Sequence, residues 1–341
     1  MSENIFTVAN FRLQRGGTLP EAKLAYKTYG TLSRAKDNAV LFPTWFGTKH
    51  SSNEWLIGPG KALDTDKWFV IVPGILGNGA SSSPSNTPAP FDRGRFPLAT
   101  LLDNIRLQYA LLKAVFLIER LHAVIGRSMG AQQAYQWASL YPDMVPRVLP
   151  FCGSARTSRF NYVFLAGLKA ALTGDASWKN GEYETPPLGG LHAVGRLYAS
   201  WALSYRFYDR QLDQTMLGFS SPEDFMTRYW EKTFEGRDAN DLLAQIATWQ
   251  QADISDNETF GGDLKRALGA IRARTIVMPC RTDQYFLVAD SEREVQLIAD
   301  AELRVIESDW GHRAGTGGTD PVDIAFIERA VTDVLEDRRP R

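Results

Sequence analysis

The stretch HAVIGRSMGAQQAYQWASLYP (122–142) constrains this chain more than any other. An apolar, strand-like run enters it. A helix-like run leaves it, with Ala131, Ala134, Tyr135 and Ala138 on one face. At the corner a serine stands between two glycines. Such a turn is sterically tight, and side chains two positions before and two after Ser128 would collide; Gly126 and Gly130 remove them. The free N–H groups at the helix start then face the corner and favour developing negative charge. The pattern predicts a strand–elbow–helix unit that presents Ser128 as a nucleophile, in preference to an ordinary turn serine.

The rest of the chain supplies a sheet for that unit. Strand-like runs are AVLFPT (39–44), WFVIVP (68–73), HAVIG (122–126), RVLPFC (147–152), TIVMP (275–279) and LRVIE (303–307). Residues 6–13 and 22–30 read as an N-terminal antiparallel hairpin. Helical segments fall at 98–118, 130–141, 286–299 and 321–336. The alternation predicts an α/β fold, a mostly parallel sheet covered by helices on both faces. From about 155 to 245 strand signals vanish and the text turns helical and aromatic. We read 155–245 as a helical lid inserted in a core domain made of 1–154 and 246–341. The polar stretch GASSSPSNTPAPFDRG (79–94) reads as a long surface loop.

Composition narrows the function classes. Basic residues number 38 and acidic residues 39, a net charge of -1, so no overall field favours nucleic acid, a membrane or an acidic partner. No apolar run reaches the roughly 20 residues needed to span a bilayer. The first residues lack a secretory pattern, so a cytoplasmic protein is expected. Cys152 and Cys280 each end an apolar run and read as buried free thiols; CxxC spacing is absent, and no metal is expected.

A serine nucleophile needs a base, and the base needs a carboxylate to orient it. Of the four histidines, His122 starts the strand leading to the elbow, His192 lies in the lid, and His50 precedes the serine. His312, in DWGHRAG, follows the last strand, where the order Ser, Asp, His places the base. Asp283 follows the preceding strand and is the acid; Asp290 falls in the next helix, and Asp309 is too near His312 in sequence. The oxyanion donors expected are the backbone N–H of Met129 and one from the PTWFGTKH loop, with Trp45 the best candidate there. Phe46 and Arg313 are expected in the substrate pocket. For Arg127 the expected account is a stem packed on the loop, with its guanidinium in solvent or paired with an acid.

With these residues in place, the sequence resembles the homoserine O-acetyltransferases, within the α/β-hydrolase fold. The resemblance rests on the WFGTKH loop, IGPGKALDTDKWFVIVPGILG, GRSMGAQQAYQWASLYPD, the lid segments WKNGEY and GRDANDLL, the Asp283 segment, and WGH. It implies a covalent acyl-Ser128 intermediate, a Ser128–Asp283–His312 triad, and a helical lid of the kind that often builds a homodimer; no cofactor is expected.

The departures bear on the acyl acceptor. The family elbow reads G-G-S-M-G-G, where this chain has G-R-S-M-G-A. The family Asp that follows the catalytic histidine and receives the homoserine amino group is Arg313 here. The first lid helix, which carries arginine for the substrate carboxylate, offers only Lys169. A cation in place of an anion beside an ammonium removes attraction and adds repulsion. The departures favour an esterase that cleaves short, acetate-type esters, with water as acceptor. The alternatives are a homoserine O-acetyltransferase using acetyl-CoA and a non-catalytic binding module.

Overall fold

The structure is a computed structural model that describes residues 3–316 and 319–339. The N-terminal hairpin forms as expected: β1 (Asn4–Arg12) and β2 (Thr18–Tyr29) pair antiparallel. The remaining strands are β3 (Ala39–Leu41), β4 (Phe69–Pro73), β5 (Ala123–Arg127), β6 (Arg147–Phe151), β7 (Arg274–Val277) and β8 (Ala301–Leu303). They form one sheet in the order β1-β2-β4-β3-β5-β6-β7-β8. β2 joins β4 antiparallel, and all pairings from β4 to β8 are parallel.

Every residue of β3, β4 and β5 is buried. Alternate residues feed two cores, one on each face: Val40, Val70, Val72 and Ile125 on one side, Leu41, Ile71 and Val124 on the other. A sheet buried on both faces has no polar phase, so its strands read as continuous apolar runs. β3 and β8 end three and four residues before their runs predict, for the same reason. Phe42 and Thr44 still donate to Ile71 and Pro73, and Arg304 and Ile306 to Val277 and Pro279. However, Pro73 and Pro279 on the accepting strands have no N–H to return a bond, so both ladders lapse.

Helices α1 (Leu101–Leu111) and α2 (Met129–Leu140) lie in the expected segments. Thr100 and Asp103 close a reciprocal cap at the start of α1. The 79–94 segment departs from a surface loop. Ser81, Ser82 and Ser83 are buried, and the Ser81 and Ser82 hydroxyls accept from Ala25 and Lys23 of β2. Serine oxygens there complete backbone donors that no strand reaches.

Between β6 and β7 the described residues hold helices, chiefly α3 (Arg159–Thr173), α4 (Leu188–Ala202) and Ala239–Gln250, and no strand. The two chain ends of this segment are joined. Thr157 N donates to Ala252 O at 2.8 Å, Ile254 N to Ala155 O at 3.1 Å, and Arg156 bridges Asp253. The neck therefore lies at 155–157 and 252–254, and the boundary expected at 245/246 falls inside a helix. Among the described residues no helix is long and apolar enough to cross a membrane.

Candidate active site

Ser128 is the N-terminal flank of α2, with φ 55° and ψ −127°. That is a region L-residues avoid, held here because the surroundings leave no alternative. A Cβ on Gly126 would stand 2.0 Å from the Gly130 carbonyl oxygen, and one on Gly130 would stand 2.9 Å from Pro43 O. Both contacts are to backbone and cannot be relieved by a side-chain rotation. The glycines thus fulfil the steric role expected of them.

The other two members arrive from the C-terminal ends of neighbouring strands. Asp283 follows β7, and His312 sits on a short 3₁₀ turn, Gly311–Arg313, after β8. His312 Nε2 lies 2.9 Å from Ser128 Oγ, and His312 Nδ1 lies 2.7 Å from Asp283 Oδ2. The other Asp283 oxygen accepts from the N–H groups of Tyr285 at 3.0 Å and Phe286 at 3.1 Å. Those donors fix the carboxylate, which accepts a hydrogen bond from Nδ1–H and so leaves Nε2 to accept from the serine. The rings of Tyr285 and Phe286 also flank the imidazole, at 4.4 and 5.5 Å between centroids. Burial lowers the His312 pKa below its ordinary value. Asp283 opposes that shift, while Arg127 and Arg313 add to it. A hydroxyl, imidazole and carboxylate in this line is the arrangement that turns a serine oxygen into a nucleophile.

The residues set aside by sequence reasoning have other work. Asp290 pairs with Arg293, and Asp309 with Arg210 and Arg206. His50 is held by Ala25 O and Glu3, His122 by the carbonyls of Asp37 and Leu335, and His192 by Glu231 and Glu235. At the expected oxyanion site, the Met129 N–H is the first of α2 and donates to no protein group among the described residues. The Trp45 N–H donates to Thr48 Oγ1 at 3.1 Å.

Arg127 corrects its expected account. It is 2% exposed, pairs with no acid among the described residues, and donates from Nη2 to the carbonyl of His312. Its guanidinium lies over the Trp45 ring at 5.2 Å. A flat, weakly hydrated cation tolerates an aromatic face and a carbonyl where an ammonium would not. Ser128 and His312 open onto a cavity of about 410 Å³, whose walls include Trp45, Phe46, Arg127 and Arg313. Lys169 is exposed on α3 and lines none of it. Sequence reasoning missed Tyr198, Tyr229, Trp230, Phe234 and Arg237 on the same walls. Their helices reach the cavity only through tertiary packing; of the five, only Arg237 lies in a segment quoted above, GRDANDLL. Tyr285 and Phe286 stood beside Asp283 in TDQYF and were legible as its backbone donors.

A parallel sheet with a strained serine elbow and its base and acid on later loops defines one class of protein. Residues 40–315 match the family model described as alpha/beta hydrolase fold. The chain belongs to the alpha/beta hydrolase family. It is 38% identical to an ethyl acetate hydrolase of Pseudomonas veronii, over 97% of this chain and 95% of that one. It superposes on an acetylester hydrolase from Corynebacterium glutamicum with a TM-score of 0.95 at 34% identity, covering 98% and 96% of the two chains. A homoserine O-acetyltransferase of Trichormus variabilis is 32% identical, over 94% and 90%.

Proposed function

We propose that this chain is a serine carboxylic ester hydrolase that cleaves short, acetate-type esters. Ser128 Oγ attacks the ester carbonyl carbon while His312 Nε2 takes its proton. The carbonyl oxygen, now negative, is met by the Met129 N–H and by the Trp45 N–H, which leaves Thr48 for it. The C–O bond to the alcohol breaks and His312 returns the proton to the departing oxygen. Water then attacks the acyl-Ser128 carbonyl with His312 again as base, releasing the acid and restoring the serine. The hydrogen-bonded line Ser128–His312–Asp283 carries this reading.

Water is favoured over homoserine as acceptor by Arg313, a guanidinium on the cavity wall where an ammonium would have to sit. The segment between β6 and β7 acts as the lid. We read the protein as a cytoplasmic homodimer joined through that lid, in keeping with exposed apolar side chains there, among them Phe160, Val163 and Tyr205. Light scattering of the purified protein tests the dimer.

The activity test offers ethyl acetate or p-nitrophenyl acetate in one reaction and acetyl-CoA with homoserine in another. Ester hydrolysis that disappears in Ser128→Ala is expected. Efficient formation of acetyl-homoserine with negligible ester turnover would overturn the reading.

A further inference from the structure

Arg127 ends the strand that leads to the nucleophile, Arg313 follows the base, and both residues line the cavity onto which Ser128 opens. Arg237 lines it as well. No aspartate or glutamate is among the lining residues, and none of the three arginines has a carboxylate partner among the described residues. The oxygens of Asp283 are taken by His312, Tyr285 and Phe286.

The arginines are only partly satisfied. Arg127 Nε is buried with no partner, and its one hydrogen bond goes to a backbone carbonyl. Arg313 donates to the hydroxyls of Tyr229 and Thr316, and stacks on the rings of Tyr229 and Trp230 at 5.5 and 5.8 Å. Arg237 donates only to the Thr233 carbonyl, from Nε. Aromatic faces and neutral oxygens hold a guanidinium without neutralising it, and much of its donor capacity remains unused. A cluster of like charges in a partly desolvated pocket is costly until an anion enters.

The geometry points to an anion-accepting subsite beside Ser128: the preferred substrates are acetate-type esters whose alcohol portion carries a carboxylate, held by Arg313 and Arg237 with Arg127 behind the triad. A short acyl group occupies little of the cavity, so the alcohol portion is the part that meets the arginines. This rests on the ester-hydrolase reading above and adds the charge of the substrate to it. The chemistry is unchanged: water cleaves the ester, and a hydroxycarboxylate and acetate leave.

The test compares three esters of similar size: 3-acetoxypropanoate, neutral propyl acetate and the cation 3-acetoxypropylammonium. The expected kcat/KM order is anion, neutral, cation, with the anion favoured over the neutral ester by about tenfold or more, the value of one charge-assisted hydrogen bond. In Arg313→Gln and Arg237→Gln the anion-to-neutral ratio falls toward one. A wild-type ratio at or below one overturns the subsite and leaves the ester-hydrolase reading intact. If none of the three esters is cleaved, that reading fails. The subsite is then decided by calorimetric binding of 3-hydroxypropanoate against 1-propanol, where equal affinity overturns it.

Discussion

Arg127 donates from its guanidinium to the carbonyl oxygen of His312, a residue 185 positions further along the chain. The bond ties the strand that ends at the nucleophile to the loop that carries the base. It also holds a positive charge beside the imidazole, which opposes a second one forming there.

The pH profile follows from that charge. A base works only while neutral, and burial, Arg127 and Arg313 all lower the His312 pKa. The acid limb of kcat/KM for a neutral ester is therefore expected below the ordinary histidine value of about 6.5. Arg127→Met moves the inflection to higher pH. A wild-type inflection at 7 or above contradicts the assignment.

Removing the nucleophile or misdirecting the base affects turnover rather than folding. Ser128→Ala is expected to lower kcat by about 10⁴-fold or more. Asp283→Asn keeps one oxygen for the Tyr285 and Phe286 N–H groups and turns its amide toward His312 Nδ1. That stabilises the wrong tautomer, and a loss of about 10⁴-fold is expected. Circular dichroism should match wild type for both variants; retained esterase activity in Ser128→Ala would remove the serine from the mechanism.

The elbow makes a separate prediction about stability. In Gly126→Ala the new methyl group meets the Gly130 carbonyl, which cannot move without distorting α2. Overpacking of this kind costs about 1–3 kcal/mol and sometimes more. Thermal unfolding should show a clearly lower Tm. An unchanged Tm would mean that the turn is looser than its geometry implies.

Glu294 links stability to pH. It is buried, accepts from the Ala155 N–H at 2.8 Å, and burial pushes its carboxyl up to about 8. The folded chain keeps this proton up to about pH 8, whereas the unfolded chain releases it near 4.5. The unfolded state thus binds fewer protons between those limits, and stability falls as pH rises, by at most about 1.4 kcal/mol per pH unit. Denaturant titrations of wild type and Glu294→Gln from pH 5 to 8 should diverge with this sign. A pH-independent difference would refute the assignment.

The fold and the serine elbow were legible because each is written locally. Buried parallel strands must be apolar throughout, and the elbow must spend two glycines on one serine. Chain order then singled out Asp283 and His312. Arg127 was misread because nothing near it in sequence reveals that a carbonyl 185 residues away would receive it. Which lid residues reach the cavity, Arg237 and the aromatic walls among them, depends on the same kind of distant packing. The premature ends of β3 and β8 were visible in principle, since Pro73 and Pro279 stand within the runs of the strands they pair with.

The segment between β6 and β7 enters and leaves through a zipped neck, where Arg156 meets Asp253 and two backbone bonds close the pair. Its ends are therefore set side by side whatever lies between them. Tyr198, Tyr229, Trp230, Phe234 and Arg237 on the cavity walls all hang from that one stem, while Ser128, Asp283 and His312 stand outside it.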